Sequence, residues 1–402
     1  MNPAAAPVLF EELTATNGRR IGIATLASEK TLHAISLEMV QLLTPQLQRW
    51  QADPGVAMVI LQAQGEKAFC AGGDLQQLYR SMREHHASPE RDDIRANTYA
   101  AEFFEQEYRL DYLIHSFAKP ILCWGHGIVM GGGIGLMAGC SHRVVTEKSR
   151  LAMPEITIGL YPDVGGSWFL ARMPGKTGIF LALTGANLNA SDALFAGLAD
   201  YRVAHAGKQA VIDALLVQSW GAGNDAELLD RVLGAAQASS LQDGTAAFAV
   251  SNLRTHFDLI ESLCRRPTLP EIVEGILALS TDDAWLSKAQ ATLRAGAPGS
   301  ALAGVCLAEA GASAVAGRGV PAGIRSLAAL RGAARFRRGY SCADHREGPA
   351  ATMESGVAGQ RHAAMGGRFL RRSVVARASS LGRPGGLKLA GAALRMSVLV
   401  RG

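Results

Sequence analysis

The sequence predicts an α/β fold, and three observations carry that expectation. Short apolar runs alternate with stretches of helical spacing through the first half of the chain. Two glycine-rich loops each follow an apolar run and open a helix. From about residue 167 to 300 the pattern is mostly helical.

The elements follow in order. "VLFEELTATNGRRIGIATLA" reads as strand, Asn-Gly turn, strand. "SLEMVQLLTPQLQRWQ" has helical apolar spacing, with Ser36 placed to cap it. "VAMVILQAQG" is a short apolar run ending at glycine, the mark of a buried strand. "EKAFCAGGDLQQLYRSM" gives a loop with a glycine pair and then a helix. "KPILCWGHGIVMGGGIGLMAGCSHRVVT" gives strand, glycine loop, helix, strand. Beyond it, "GIFLALTG", "SDALFAGLAD", "KQAVIDALLVQSW" and "DDAWLSKAQATLRA" read as helices. No internal repeat of 20 to 50 residues is present. The expected division is a catalytic core over 1–204, a helical region over 205–305 and a basic tail over 306–402.

The 402 residues are 48% hydrophobic, enough for one large core or two smaller ones. The N-terminal stretch has no basic segment followed by an apolar one, so no signal peptide is expected. No uncharged apolar run is long enough to span a bilayer. The six cysteines include no C-x-x-C pair, which argues against a zinc site or a disulfide framework. A reduced, cytoplasmic setting is the expectation. The ten histidines show no H-E-x-x-H or other ligand spacing, so no metal is expected.

Two acids stand out. "MPEITIGLYPDVGG" holds Glu155 and Asp163 in an otherwise apolar, turn-rich stretch. A buried carboxylate is costly unless bonded, paired or protonated. Burial could raise Glu155 into the range of a general acid or base, and Asp163 could orient water or a hydroxyl. Taken separately, each acid is better explained as a cap, Glu155 of the turn and Asp163 of the helix starting near Gly165. "FCAGGDL" and "HGIVMGGGIG" could each supply a backbone N–H to one oxygen, making an oxyanion hole. On local sequence alone, tight helix–strand packing is the favoured reading of the glycines. The phosphate-loop and serine-hydrolase patterns are absent. Cys70 fits a small buried thiol as well as a nucleophile.

Taken together, "KAFCAGGDL", "HGIVMGGGIGL" and "LAMPEITIGLYPDVGG", in this order and spacing, resemble the crotonase (enoyl-CoA hydratase/isomerase) superfamily. The "MPE…GLYPDVGG" form resembles its 3-hydroxyisobutyryl-CoA hydrolase branch. The resemblance runs from about residue 8 to about 303. It implies a crotonase-like spiral of ββα units followed by helices, and an acyl-CoA thioester as substrate, with coenzyme A as part of that substrate and no separate cofactor. It implies that Ala71 and Gly132 give the two oxyanion-hole N–H groups and that Glu155 and Asp163 are the catalytic pair. It also places Glu107, Gly72, Gly73, Asp74 and Gly131 against the substrate. The parent hydratases carry a second Glu where this chain has Gly135, which counts against hydration and for thioester hydrolysis. Ala27, Glu29 and His33 replace the Asn, Pro and second Asn that relatives carry in the coenzyme-A loop. The resulting expectation is a thioesterase acting on 3-hydroxyisobutyryl-CoA of valine breakdown. The alternatives are an enoyl-CoA hydratase or isomerase, or a non-catalytic acyl-CoA-binding protein. No membrane or nucleic-acid partner is expected, and a homo-oligomer is left open.

Residues 306–402 hold 15 Arg and 1 Lys against 4 acidic residues. A basic tail ordinarily suggests nucleic acid. This one has a different reading. Permitted codons for 334–348, read one nucleotide later, give RDFAEGIRALIIERD, which resembles the "DF-x-EG-x-RA" segment of the hydrolase branch. Three further stretches do the same in order and in one register. The expectation is a frame change near residues 303–306, with a poorly ordered tail beyond it.

Overall fold

A computed structural model describes residues 6–316, apart from 243 and 245. Their backbone falls into two compact units, neither continuous in sequence. The first comprises Met1–Met153, Asp163–Gly165 and Asn187–His256, and the second Pro154–Pro162, Gly166–Ala186 and Phe257 onward.

In the first unit the expected hairpin forms from β1 (Val8–Thr14) and β2 (Arg20–Leu26), antiparallel from Val8 opposite Leu26 to Thr14 opposite Arg20. Gly18 of the Asn-Gly turn has a φ of 81°, a conformation that glycine adopts without a side-chain clash. Strands β3 (Val56–Ala63), β5 (Ile121–Gly125), β7 (His142–Val145) and β9 (Tyr201–Arg202) extend the sheet in parallel, in the order β1-β2-β3-β5-β7-β9. Every residue of β3 and β5 is buried, as expected of parallel strands covered on both faces. A smaller parallel sheet is built from β4 (Ala68–Cys70), β6 (Ile128–Met130) and β8 (Arg150–Ala152).

The connections are helical: α1 (Leu37–Ala52), α2 (Leu75–Ala87), α3 (Thr98–His115) and α4 (Gly132–Ala138). Ser36 caps α1 as expected, its hydroxyl accepting from Met39 N–H at 3.2 Å. Trp50 at the end of α1 is buried, and its indole N–H donates to Glu12 at 2.7 Å.

After the second unit's α5 (Gly166–Phe169) and α6 (Thr177–Thr184), the chain adds α7 (Ala190–Phe195), α8 (Lys208–Leu216), α9 (Asp225–Gln242) and α10 (Asn252–Thr255) to the first. This corrects the expected boundary at 204/205. Ile21, Ile23, Met58, Ile60, Trp124 and Val144 offer one apolar face of the sheet, and Val211, Leu215, Trp220, Leu229 and Leu233 cover it in a single core. Helices α8 and α9 therefore belong to the sheet they bury.

The second unit is helical apart from the turn Glu155–Ile158: α5, α6, α11 (Phe257–Cys264), α12 (Leu269–Leu277), α13 (Ala284–Ala295) and α14 (Pro298–Ala316). All eight residues of α6 are buried, and Phe180 lies 5.5 Å from the Trp285 ring. Helix α14 crosses the expected tail boundary at 306, burying Val305, Leu307 and Ala308. The expectation of a poorly ordered tail is thus corrected over 306–316, and its remainder lies outside the described residues. Among the described residues no helix is long and apolar enough to cross a membrane.

Candidate active site

In the first unit the two glycine loops meet. The loop after β4 carries Ala71, Gly72, Gly73 and Asp74 into α2, and the loop after β6 carries Gly131 into α4. Asp74 caps α2, its carboxylate accepting from Gln76 and Gln77 N–H at 3.1 Å. Gly72 has a φ of 104°, and a Cβ there would press on the Met130 carbonyl at 3.2 Å. Gly131 has a φ of 49°, and its N–H donates to Ala152 of β8 at 3.1 Å. Gly72 requires glycine because backbone approaches it, and Gly131 because of its positive φ.

The backbone hydrogen bonds decide which N–H groups can meet a ligand. Ala71 N–H donates to Leu32 oxygen at 3.0 Å. It is engaged, so Ala71 does not fit the oxyanion-hole role expected of it. Ile35 N–H donates to Gly72 oxygen, Asp74 N–H to Ile35 oxygen and Leu75 N–H to Gly73 oxygen. That pattern leaves Gly73 N–H with no backbone acceptor among the described residues, and Gly132 N–H likewise. The two are close, since a Cβ built on Gly132 would stand 3.5 Å from Gly73 N and 2.5 Å from Glu107 Oε1. The N–H pair that the geometry offers is therefore Gly73 and Gly132, with the buried Glu107 carboxylate of α3 beside it. The assignment moves two residues along the same loop because the Leu32 carbonyl, distant in sequence, takes the first N–H.

His33, next in the chain, fixes the segment that carries that carbonyl. Ser28 N–H donates to His33 Nδ1 at 3.0 Å, and His33 Nε2 meets Gln64 oxygen at 3.0 Å. Burial lowers the His33 pKa, which favours the neutral ring these two bonds require.

Asp163 belongs to the same unit. Tyr108 O–H, on α3, donates to Asp163 Oδ2 at 2.7 Å. Burial pushes the Asp163 carboxyl up to about 6, and the Tyr108 bond acts in the opposite sense. Val164, next in the chain, has a φ of 38°, an outlier for a β-branched residue. A Cβ on Gly135 would lie 2.6 Å from Val164 Cβ and 3.2 Å from Asp111 Oδ1. The space beside position 135, where hydratases carry a Glu, is thus filled by Val164 and Asp111.

Asp111 escaped the sequence reading although it lies in the stretch "FEQEYRLDYLI" that contains Glu107. Helix α3 buries Phe103, Glu107, Leu110 and Ile114, and in that spacing Asp111 sits one turn beyond Glu107. Cys70 lies near both acids. Burial first, then the charges of Glu107 and Asp111, push its thiol up to about 12, which makes it a poor nucleophile.

Glu155 belongs to the second unit, where it opens the short turn Glu155–Ile158 and is 4% exposed. Leu160 N–H donates to its backbone oxygen at 2.9 Å, and Ala297 N–H to Ile156 oxygen at 3.0 Å, which ties the turn to the start of α14. Among the described residues no group of three His, Cys, Asp or Glu side chains gathers as a metal site.

A family profile described as enoyl-CoA hydratase/isomerase matches residues 21–316. The chain belongs to the enoyl-CoA hydratase/isomerase family. It is 38% identical over 275 residues to the mitochondrial 3-hydroxyisobutyryl-CoA hydrolase of Homo sapiens, a match covering 68% of this chain and 65% of that protein. The Gallus gallus protein of the same name is 37% identical over 257 residues, covering 63% of this chain and 62% of that one. These matches thus span a little under two thirds of the relatives' length. Among solved structures, a carnitinyl-CoA dehydratase from Mycobacterium thermoresistibile superposes with a TM-score of 0.66 at 28% identity, covering 82% of this chain and 86% of that one. An enoyl-CoA hydratase from Rhodobacter sphaeroides 2.4.1 gives 0.63 at 31% identity, covering 81% and 83%. The crotonase-type α/β fold expected from the glycine loops is the fold found.

Proposed function

We propose that the chain hydrolyses acyl-CoA thioesters, with 3-hydroxyisobutyryl-CoA of valine breakdown as the substrate. The observation that carries the reading is the adjacent N–H pair of Gly73 and Gly132 in a wall of glycine backbone. Two such donors can hold a thioester oxygen as it gains negative charge. Glu155 supplies the carboxylate that either deprotonates the attacking water or itself adds to the thioester carbon, giving a mixed anhydride that water then hydrolyses, and Asp163 accepts a hydrogen bond from the substrate's 3-hydroxyl or from that water. The carbon–sulfur bond breaks, the acyl carbon takes the water oxygen, and coenzyme A leaves as its thiol. Glu107, beside Gly132, borders the bound acyl group. Relatives named for this activity, at 36 to 38% identity, support the choice of acyl group.

The second reading is hydration of an enoyl-CoA, favoured by the likeness to the enoyl-CoA hydratase of Rhodobacter sphaeroides 2.4.1. The crowding at Gly135 by Val164 and Asp111 weighs against it, because no second glutamate can project from that position. Free-thiol release over a panel of acyl-CoAs separates the readings. Hydrolysis releases thiol, hydration consumes the enoyl absorbance without thiol, and a binding protein does neither. Thiol release from 3-hydroxyisobutyryl-CoA above the rate for its unsubstituted analogue is the expected result. Enoyl consumption without thiol would overturn the proposal.

A further inference from the structure

We propose that Asp111 is a positioning residue that forms one proton-sharing acid pair with Asp163, so that two carboxyl groups present a single negative charge at this site. The inference deepens the hydrolase reading, and its kinetic arm rests on that reading.

The geometry comes from three contacts within the first unit. Tyr108 and Asp111 lie three residues apart on α3 and therefore share a face. Tyr108 O–H reaches Asp163 Oδ2 at 2.7 Å. Asp111 Oδ1 and Val164, the neighbour of Asp163, both lie against Gly135. The loop 163–165 is thus pinned between the Tyr108 turn of α3 and α4, with Asp111 facing the same space. Both carboxyl oxygens of Asp111 are buried and have no hydrogen-bond partner among the described residues. An ionised carboxylate in that state would lose its hydration with nothing in exchange, whereas a neutral carboxylic acid loses far less.

Among the described residues no cationic side chain bonds either carboxyl oxygen of Asp111. Helix α4 (GGIGLMA) has no ionisable side chain. On α3 itself the nearest acid is Glu107, one turn back, and on β4 the facing group is the neutral thiol of Cys70. Burial first, and then the charge of Asp163, hold the Asp111 carboxyl well above the usual carboxylate range. Two like acids that act on one another in a partly desolvated site take up one proton between them. Asp163 has the Tyr108 donor and becomes the ionised member, and Asp111 has no donor and keeps the proton. The pair then holds Asp163 as an acceptor for a hydroxyl, and Asp111 can turn its O–H toward it.

The test reads protonation directly, without substrate. The full chain, carrying aspartate labelled with carbon-13 at the side-chain carboxyl, is titrated by NMR as wild type, Asp111→Asn and Asp163→Asn. Wild type should show one aspartate carboxyl still protonated at neutral pH, titrating in a second step above the first. Asp111→Asn should lose that upper step and keep the first one. In Asp163→Asn the Asp111 step should move to lower pH than in wild type, because the like charge is gone. This second variant answers the question even if Asp111→Asn fails to fold. Absence of a protonated aspartate at neutral pH in wild type, or survival of the upper step in Asp111→Asn, overturns the proposal. In kinetics, thiol release by wild type should decline on the alkaline side as the pair loses its last proton, and Asp111→Asn should lack that limb. If no thioester is hydrolysed but the titrations behave as stated, the hydrolase reading fails and the acid pair stands.

Discussion

In the proposed reaction Gly73 and Gly132 act through the lack of a side chain. Each leaves an N–H exposed to a ligand and leaves the room for a ligand to reach it. The two effects separate at Gly73. A Cβ there meets only the Phe103 ring, at 3.3 and 3.5 Å, so Gly73→Ala keeps the N–H at a modest packing cost. Gly73→Pro removes the N–H. We expect Gly73→Ala to keep most of its thiol-release rate and Gly73→Pro to lose roughly 10²-fold or more, both judged on variants with native circular dichroism. A folded Gly73→Pro protein with an unchanged rate would place the oxygen-binding donors elsewhere. The second residue-scale prediction concerns Glu155, which is buried at the start of its turn. Glu155→Gln keeps the shape and removes the proposed base. Turnover should be abolished, while thioester binding, measured by calorimetry, stays within a few-fold. Near-normal kcat would reduce Glu155 to a turn former. The sequence singled out Gly132, Glu155 and Asp163 because a glycine run and acids in an apolar stretch are signals of residue type. It led to Ala71 instead of Gly73 because a backbone bond to Leu32 decides between them, and no side-chain pattern records such a bond. It passed over Asp111 because an acid in "EQEYRLDY" reads as one more solvated charge on a helix.

Among the elements, those with a local signal were legible and those defined by partners were not. The hairpin, the Ser36-capped α1 and the buried β3 each repeat a period or a cap that the chain states locally. Strands β4, β6 and β8 have three residues each, too few for any period, and exist because they pair with one another. The short β9 likewise gains its identity by pairing with β7. Helices α8 and α9 were visible as helices, but only the apolar face of the sheet says which unit they join. The α7–α10 junction yields a prediction of this scale. Asp192 is fully buried and accepts from Asn189 N–H at 3.0 Å, Ser251 O–H at 2.7 Å, Asn252 at 3.1 Å and Leu253 N–H at 2.8 Å. It completes a capping box on α7 and fixes the start of α10. Asp192→Ala leaves several buried donors unanswered, at about 1–3 kcal/mol for each that stays dry. We expect a loss of about 3 kcal/mol or more in urea unfolding with an unchanged slope. A loss below about 1 kcal/mol would mean that water or relaxation replaces the carboxylate.

Across the molecule, buried titratable groups of opposite kind oppose one another. His126 is fully buried, and desolvation, then the charges of His205 and Lys208, lower it to about 4. Its folded value lies below its unfolded one, so its contribution to stability is present above about pH 6.5 and fades as pH falls toward 4. Asp163 has the reverse sign. Its folded value of about 6 lies above the ordinary 3.8, so the native state keeps a proton that the unfolded chain has released. Stability from that source is full below 3.8 and is lost as pH rises through 6. The two slopes act over nearly the same window and largely cancel, with His33, also lowered by burial, adding to the histidine side. Asp163→Asn removes one arm of the balance. The variant's stability relative to wild type should climb from pH 4 to a plateau above pH 6. The ceiling is about 3 kcal/mol, from roughly 1.4 kcal/mol per pKa unit, and the real value should be smaller because Asp163 is only half-buried and water screens it. The lost Tyr108 bond adds an offset that does not vary over this window. Urea unfolding of both proteins at intervals from pH 4 to 8 measures the difference. If that difference is flat, or falls as pH rises, Asp163 is an ordinary carboxylate in the folded chain, and the acid pair with Asp111 loses its ionised member's distinctive property.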